Sequence, residues 1–344
     1  MSYKIHPSIV ARGSLGLITF ALVVLVFLIQ PYFLNCRSVN QAEYVPTLSD
    51  EELRKHPKYY KARTSNSRMA IILMTSNSSY ERIPDLMNTW GGAFMQTRFS
   101  GGLFFTYIES DNKTYKQYWS IPRSQRLTNL ANSIEVDSSN YKNLDLAIKE
   151  IHALEYFLQN STSEWLFRGV DDTFVNMNEF PTFFTSLPDP TNKSFIFGDC
   201  IDIDTPFLHG GSGVLMSRQM AKQLFEASEE WLKEIIKNEK PEEIYFSSLL
   251  KKVGFEVSDG ASSAFMGIFT PKNNLEKPNT CSSSQIENQP KYCPNRLSNL
   301  KKTVFFHDKN HQMTMSDWEN YIDNLPDNLY WVQQNGEESI CIME

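Results

Sequence analysis

Residues Met69 to Thr75 read MAIILMT, an unbroken apolar run of strand length that stops at the polar cluster SNSS. A strand without polar alternation has both faces buried, which a chain achieves in a sheet covered by helices on its two sides. The same signal recurs in GLFFTYI (Gly102 to Ile108), WLFRGV (Trp165 to Val170), SFIFG (Ser194 to Gly198) and GVLMS (Gly213 to Ser217). Helical stretches interleave with these runs. Leu144, Ile148, Ile151, Leu154 and Leu158 mark one helical face, and further helices are predicted from Gln219 to about Asn238 and from Pro241 to Lys252, the last opened by proline and closed by Gly254. Such alternation predicts an α/β domain with a mainly parallel central sheet flanked by helices, and it puts ligands at the carboxyl ends of the strands.

The chain has 344 residues, 41% of them hydrophobic, enough for one large core or two smaller ones. Its formal charge of −7 supplies no basic surface for neutralising phosphates, so nucleic acid is not an expected partner. Near the N-terminus, Leu15 to Ile29 (LGLITFALVVLVFLI) carries no charge, and the apolar character extends over Gly13 to Leu34. That approaches the roughly 20 residues a helix needs to span a bilayer. Lys4 and Arg12 precede it without an acid, which orients it as a type II signal anchor with the remainder of the chain on the luminal side. A cleaved signal peptide is the alternative, but no small-x-small cleavage site follows the run.

Two further features agree with a secretory-pathway placement. Asn77, Asn112, Asn160 and Asn192 each begin an N-x-Ser/Thr sequon. Cys200, Cys281, Cys293 and Cys341 can form disulfides in an oxidising compartment, with Cys281 and Cys293 the easiest local pair, while Cys36 lies at the membrane edge. No CxxC pair is present, so a structural zinc site is not expected. The resulting division is a cytosolic tail at 1–12, an anchor at 13–34, a polar stem at 35–66, the folded domain at 67–325 and a C-terminal tail at 326–344.

Within WLFRGVDDTFVNM, Asp171 and Asp172 follow a buried strand directly, where a doubly wound fold has its binding crevice. Adjacent carboxylates with reduced solvation favour a cation, and oxygen ligands suit Mg²⁺ or Mn²⁺. Aspartates at a strand end also make turns and helix caps. Downstream, His307 and Asp308 follow another strand-like run. HGGSG (His209 to Gly213) lets backbone approach a ligand or turn sharply, and Glu242 and Glu243 sit in the first turn of a predicted helix, where the dipole favours acids.

Taken in order, six segments between about Met69 and Tyr321 resemble the β1,3-glycosyltransferase family that includes the fringe enzymes and core 1 β1,3-galactosyltransferase. NTWGG (Asn88 to Gly92) is similar to its TW motif, EWLFRGVDDTFVNM to its DDD-bearing segment, and FIFGD to its strand ending in FG. HGGSGVLMSR (His209 to Arg218) resembles its SGGAGYVLSR, PEEIYFSS (Pro241 to Ser248) its EDVxxG, and VFFHDKNHQM (Val304 to Met313) its SFH segment.

The resemblance implies a GT-A type fold, a UDP-sugar donor, a glycan or glycoprotein acceptor, Mn²⁺, and transfer of galactose or N-acetylhexosamine with inversion in β1,3 linkage. It implies Asp171, Asp172 and His307 as metal ligands and Glu243 as the base. It also implies Trp90 beside the nucleotide as a packing residue, Asp171 toward the donor, and Gly210, Gly211 and Gly213 shaping the loop beside the sugar. The implied setting is the Golgi or endoplasmic-reticulum membrane; a homodimer is left open. Val170 stands where the family has the first acid of its triad, Glu243 where it has aspartate, and Ser247 where it has glycine. Those departures keep a catalytically inactive, chaperone-like or glycan-binding relative in view.

Overall fold

The computed structural model describes residues 67–76, 79, 81–106, 141–202, 205–237, 242–269, 279–281, 293–294, 296–308, 313–334 and 337–343. All belong to one unit, Pro46–Glu344. The tail, anchor and stem expected over 1–66 lie outside the described residues. Among the described residues no helix is long and apolar enough to cross a membrane.

In chain order the first elements are β1 (Met69–Met74), α1 (Arg82–Asn88), α2 (Trp90–Gln96), β2 (Ser100–Phe105), α3 (Tyr141–Asn160), β3 (Trp165–Val170), β4 (Thr173–Val175) and α4 (Phe180–Ser186). They are followed by β5 (Ile196–Gly198), β6 (Cys200–Asp202), β7 (Pro206–Leu208), β8 (Val214–Ser217), α5 (Arg218–Lys237) and α6 (Glu242–Lys252). The C-terminal part contains β9 (Phe265–Phe269), β10 (Asn279–Cys281), β11 (Arg296–Asn299), β12 (Phe305–Asp308), α7 (Met315–Asp323), β13 (Leu329–Gln334) and β14 (Glu337–Met343). Of the predicted GLFFTYI strand, Tyr107 and Ile108 fall outside the described residues.

The central sheet has the order β2-β1-β3-β8-β5. β1 runs parallel to β2 and β3, whereas β8 is antiparallel to both β3 and β5. One strand therefore opposes the other four. β8 begins where β3 ends, since Val214 pairs with Arg168, so the glycine turn before β8 lies at the carboxyl end of β3.

Period-two geometry distributes β1 between two apolar layers. Met69, Ile71 and Leu73 enter one core; Ala70 and Ile72 enter the other. The second face is covered by the apolar sides of α3, α5 and α6, through Ile148, Ile151, Leu154, Leu224, Trp231 and Phe246. Against the first face pack α1, α2, α7 and a three-stranded sheet of order β4-β12-β9. There Phe305 stacks between Phe167 and Phe265, with ring centroids 4.5 Å from each. α7 starts on a capping box in which the Thr314 hydroxyl accepts from the Asp317 amide and the Asp317 carboxylate accepts from that of Thr314.

One expectation is corrected, and one pairing left open by the sequence is decided. Residues 326–344 do not form a separate tail: β13 and β14 pair in a sheet of order β10-β14-β13-β11, and Leu329, Trp331 and Ile340 are buried in the core. Trp331 and Val332 are consecutive buried residues, as are Ile340 and Cys341, so these strands lack the clean alternation by which a half-buried strand is read from sequence. The cysteines also pair otherwise than by proximity in sequence. Cys293 bonds Cys200, 93 residues away, with Cα atoms 5.7 Å apart, and Cys341 is disulfide-bonded as well.

Candidate active site

Asp171 leaves the end of β3 and extends its pairing with β1, donating its backbone amide to Met74 O at 3.2 Å. Its carboxylate is then drawn inward by the polar turn that follows β1. The Thr75 hydroxyl donates to Oδ2 at 2.5 Å, the Ser79 hydroxyl donates to the same oxygen, and Arg82 Nη1 donates to Oδ1 at 3.1 Å. Burial raises the Asp171 carboxyl above its ordinary range, assisted by the charge of Asp172; the Ser79 and Thr75 hydroxyls and Arg82 oppose that rise.

Asp172 is less deeply buried than Asp171. Its Oδ2 lies 3.5 Å from Arg82 Nη1 and 3.5 Å from His307 Nε2. His307 is delivered by β12, which pairs antiparallel with β4 so that His307 stands opposite Thr173. The other ring nitrogen, Nδ1, is 2.9 Å from Gly267 O. A carbonyl only accepts, so that contact assigns the proton to Nδ1 and aims Nε2 at Asp172.

The turn between β7 and β8 closes over these groups. A Cβ on Gly211 would stand 2.4 Å from His307 Nδ1, and one on Gly210 would stand 3.4 Å from Glu243 Cγ. Glycine there lets the imidazole and the Glu243 side chain flank successive residues of one loop. Gly213 has a different task. Its φ of +82° reverses the chain into β8, and an added Cβ would overlap the Phe167 ring at 2.3 Å.

Glu243 lies in the first turn of α6 and is half-buried. Ser247, one turn on, donates its hydroxyl to Glu243 O at 3.0 Å and accepts from the Leu208 amide at 3.4 Å, tying the start of α6 to β7. Trp90 is fully buried in the first core and offers no surface to a ligand. Val170 carries no acid, and its amide donates to Thr173 Oγ1 at 3.1 Å.

Sequence reasoning missed Thr75, Ser79 and Arg82, although the SNSS cluster at the end of β1 was a visible signal. It also missed His209, whose ring lies 5.2 Å from that of His307, and Asp199, which accepts the Gly267 amide at 2.6 Å. Glu150 and Arg168 gave no local signal, because one lies mid-helix and the other mid-strand.

The implied Mn²⁺ requires several oxygen or nitrogen donors converging on one point. Among the described residues no three His, Cys, Asp or Glu side chains are grouped to hold a metal ion. Asp172 and His307 face one another, but Asp171 is committed to two hydroxyls and a guanidinium. The residues expected as ligands therefore do not fit the ion as a three-ligand site.

No protein-family model matches the sequence, and no curated protein matches it. Among solved structures, the chain is similar to a protein described as a glycosyltransferase involved in the glycosylation of the major capsid of PBCV-1. The identity is 11%, the TM-score is 0.36, and the match covers 75% of this chain and 100% of that one. That likeness is distant, and no residue role is transferred from it.

Proposed function

We propose that the chain is an inverting glycosyltransferase of the fringe and core 1 β1,3-galactosyltransferase type. It transfers galactose or N-acetylhexosamine from a UDP-sugar to a glycan or glycoprotein acceptor, in β1,3 linkage. The observation that carries this reading is the arrangement around Gly210 and Gly211. One loop at the end of β3 has the Glu243 carboxylate against its first glycine and His307, next to Asp172, against its second. A domain of mixed α/β architecture with acids at the carboxyl end of a central strand is suited to such chemistry.

In a single displacement the acceptor hydroxyl oxygen bonds to the anomeric carbon as the bond from that carbon to the phosphate oxygen breaks. UDP departs with the electron pair, and the acceptor proton passes to Glu243. The glycine loop admits the sugar close to backbone. No covalent glycosyl intermediate is needed. We place the protein in the Golgi or endoplasmic-reticulum membrane by the apolar segment at 13–34; the exposure of Asn160 and Asn192 agrees with glycosylation in that compartment.

Full-length protein in detergent, incubated with UDP-sugars and an acceptor panel, tests the reading. Transfer is expected, and Glu243→Gln should lower turnover by about 10²- to 10⁴-fold with UDP binding retained. Absence of transfer, of UDP-sugar hydrolysis and of UDP binding together would remove the enzyme reading. A second reading, a catalytically inactive relative that binds a client or glycan, is favoured by Val170 in place of an acid. UDP-sugar binding without turnover would select it.

A further inference from the structure

The disagreement between the acidic pair and a divalent ion has a structural cause in Arg82. We propose that Arg82 is the resident cation of the Asp171–Asp172 pair, occupying the position a divalent ion would need, so that nucleotide binding by this chain is independent of metal. The second half of that statement rests on the glycosyltransferase reading; the first does not.

Arg82 Nη1 bridges the two carboxylates, 3.1 Å from Asp171 Oδ1 and 3.5 Å from Asp172 Oδ2. A metal bound by both oxygens would have to take the same space and would meet the guanidinium charge at contact distance. Asp171 has little freedom to turn away, because Oδ2 already accepts from Thr75 and Ser79. Arg82 is held just as firmly at its backbone. It is the first residue of α1, its amide donates to Ser79 O at 3.1 Å, and the helix buries Ile83 and Leu86 in the core. Core packing therefore sets the guanidinium beside the acids, and the same turn supplies both the hydroxyl and the cation.

The side chain is not sealed in. Its relative exposure is 32%, against 6% for Asp171 and 14% for Asp172. Its contacts with the acids run through Nη1. Guanidinium presents five N–H donors in a planar fork, so Nε and Nη2 remain able to engage a phosphate. A diphosphate arriving there meets a cation fixed by the fold instead of one drawn from solution.

The test uses the full-length protein and two probes. With Mn²⁺ alone, counted by the electron paramagnetic resonance of the free ion, the wild type should bind at least about tenfold more weakly than Arg82→Ala, while Arg82→Lys, which keeps the charge, should resemble the wild type. Wild-type Mn²⁺ binding as tight as that of Arg82→Ala would overturn the assignment. With UDP in the presence of chelator, binding by the wild type should persist and fall by about tenfold or more in Arg82→Ala. Loss of wild-type UDP binding on adding chelator would overturn metal independence. Failure to bind UDP with or without Mn²⁺ would instead remove the functional reading, and the Mn²⁺ comparison would still decide the role of Arg82. Arg82→Gln serves as a second neutral variant should Arg82→Ala not fold, with thermal melting as the check.

Discussion

Arg168 and Glu150 form a buried bidentate pair, with Nε and Nη2 of the arginine donating to the two carboxylate oxygens at 2.8 and 2.5 Å. The side chains are 1% and 0% exposed, and the guanidinium also reaches Gly210 O at 3.4 Å and lies over the Phe246 ring at 5.3 Å. One ion pair thus ties α3, β3, the glycine loop and α6 together. Removing one partner leaves a buried charge without its counterpart, so Glu150→Leu should destabilise the protein by about 3–5 kcal/mol in chemical denaturation. The double variant Glu150→Leu with Arg168→Met should recover most of that loss, yet still lower activity by loosening Gly210. A double-mutant cycle without coupling would remove the pair as a structural tie.

The two glycines next to the site should respond differently to alanine. In Gly213→Ala a positive φ and overlap with Phe167 combine, and a loss of about 2–4 kcal/mol is expected by thermal or urea unfolding. In Gly211→Ala the added methyl displaces the His307 ring from Gly267 O, a loss nearer to about 1 kcal/mol. Its signature is local, a changed Nδ1 signal of His307 by nitrogen NMR. An unchanged signal would mean that the loop and not the ring gives way.

Asp171 carries a pH dependence whose sign follows from its burial. The folded state holds its carboxyl proton more tightly than the unfolded chain does, so between the ordinary carboxylate range and the raised value the folded state binds more protons. Stability contributed by this group is therefore lost as pH rises through that window. Asp171→Asn removes the titration. Melting curves from acid to neutral pH should show the wild type losing ground to the variant as pH rises, and the opposite trend would contradict a raised carboxyl.

The disulfide between Cys200 and Cys293 joins the β6 strand to a segment far along the chain. Closing so long a loop restricts the unfolded chain, with a typical contribution of about 2–5 kcal/mol. The double variant Cys200→Ser with Cys293→Ser should melt at lower temperature by a corresponding amount. Peptide mapping without reduction should recover the 200–293 link and not one between Cys281 and Cys293.

How much of this was legible depended on whether the signal was local. Apolar runs such as MAIILM and WLFRGV determine buried strands by themselves, because continuous burial leaves no polar alternation. Spacing in α3 and the proline and glycine flanking α6 determine helices for equally local reasons. The sequence also determined that Asp171 and Asp172 end a buried strand and that glycines precede β8. Tertiary structure alone decided that β8 runs against its neighbours, that Glu150 neutralises Arg168 and that Cys200 meets Cys293. It alone also decided that, among the described residues, Arg82 is the cation set against the acidic pair. These contacts join residues from 18 to 93 positions apart in the chain, and no local propensity records which distant side chain will complete a buried charge. Folding brings them together because the core fixes the elements first, and the polar groups at strand ends must then find partners among whatever that packing places beside them.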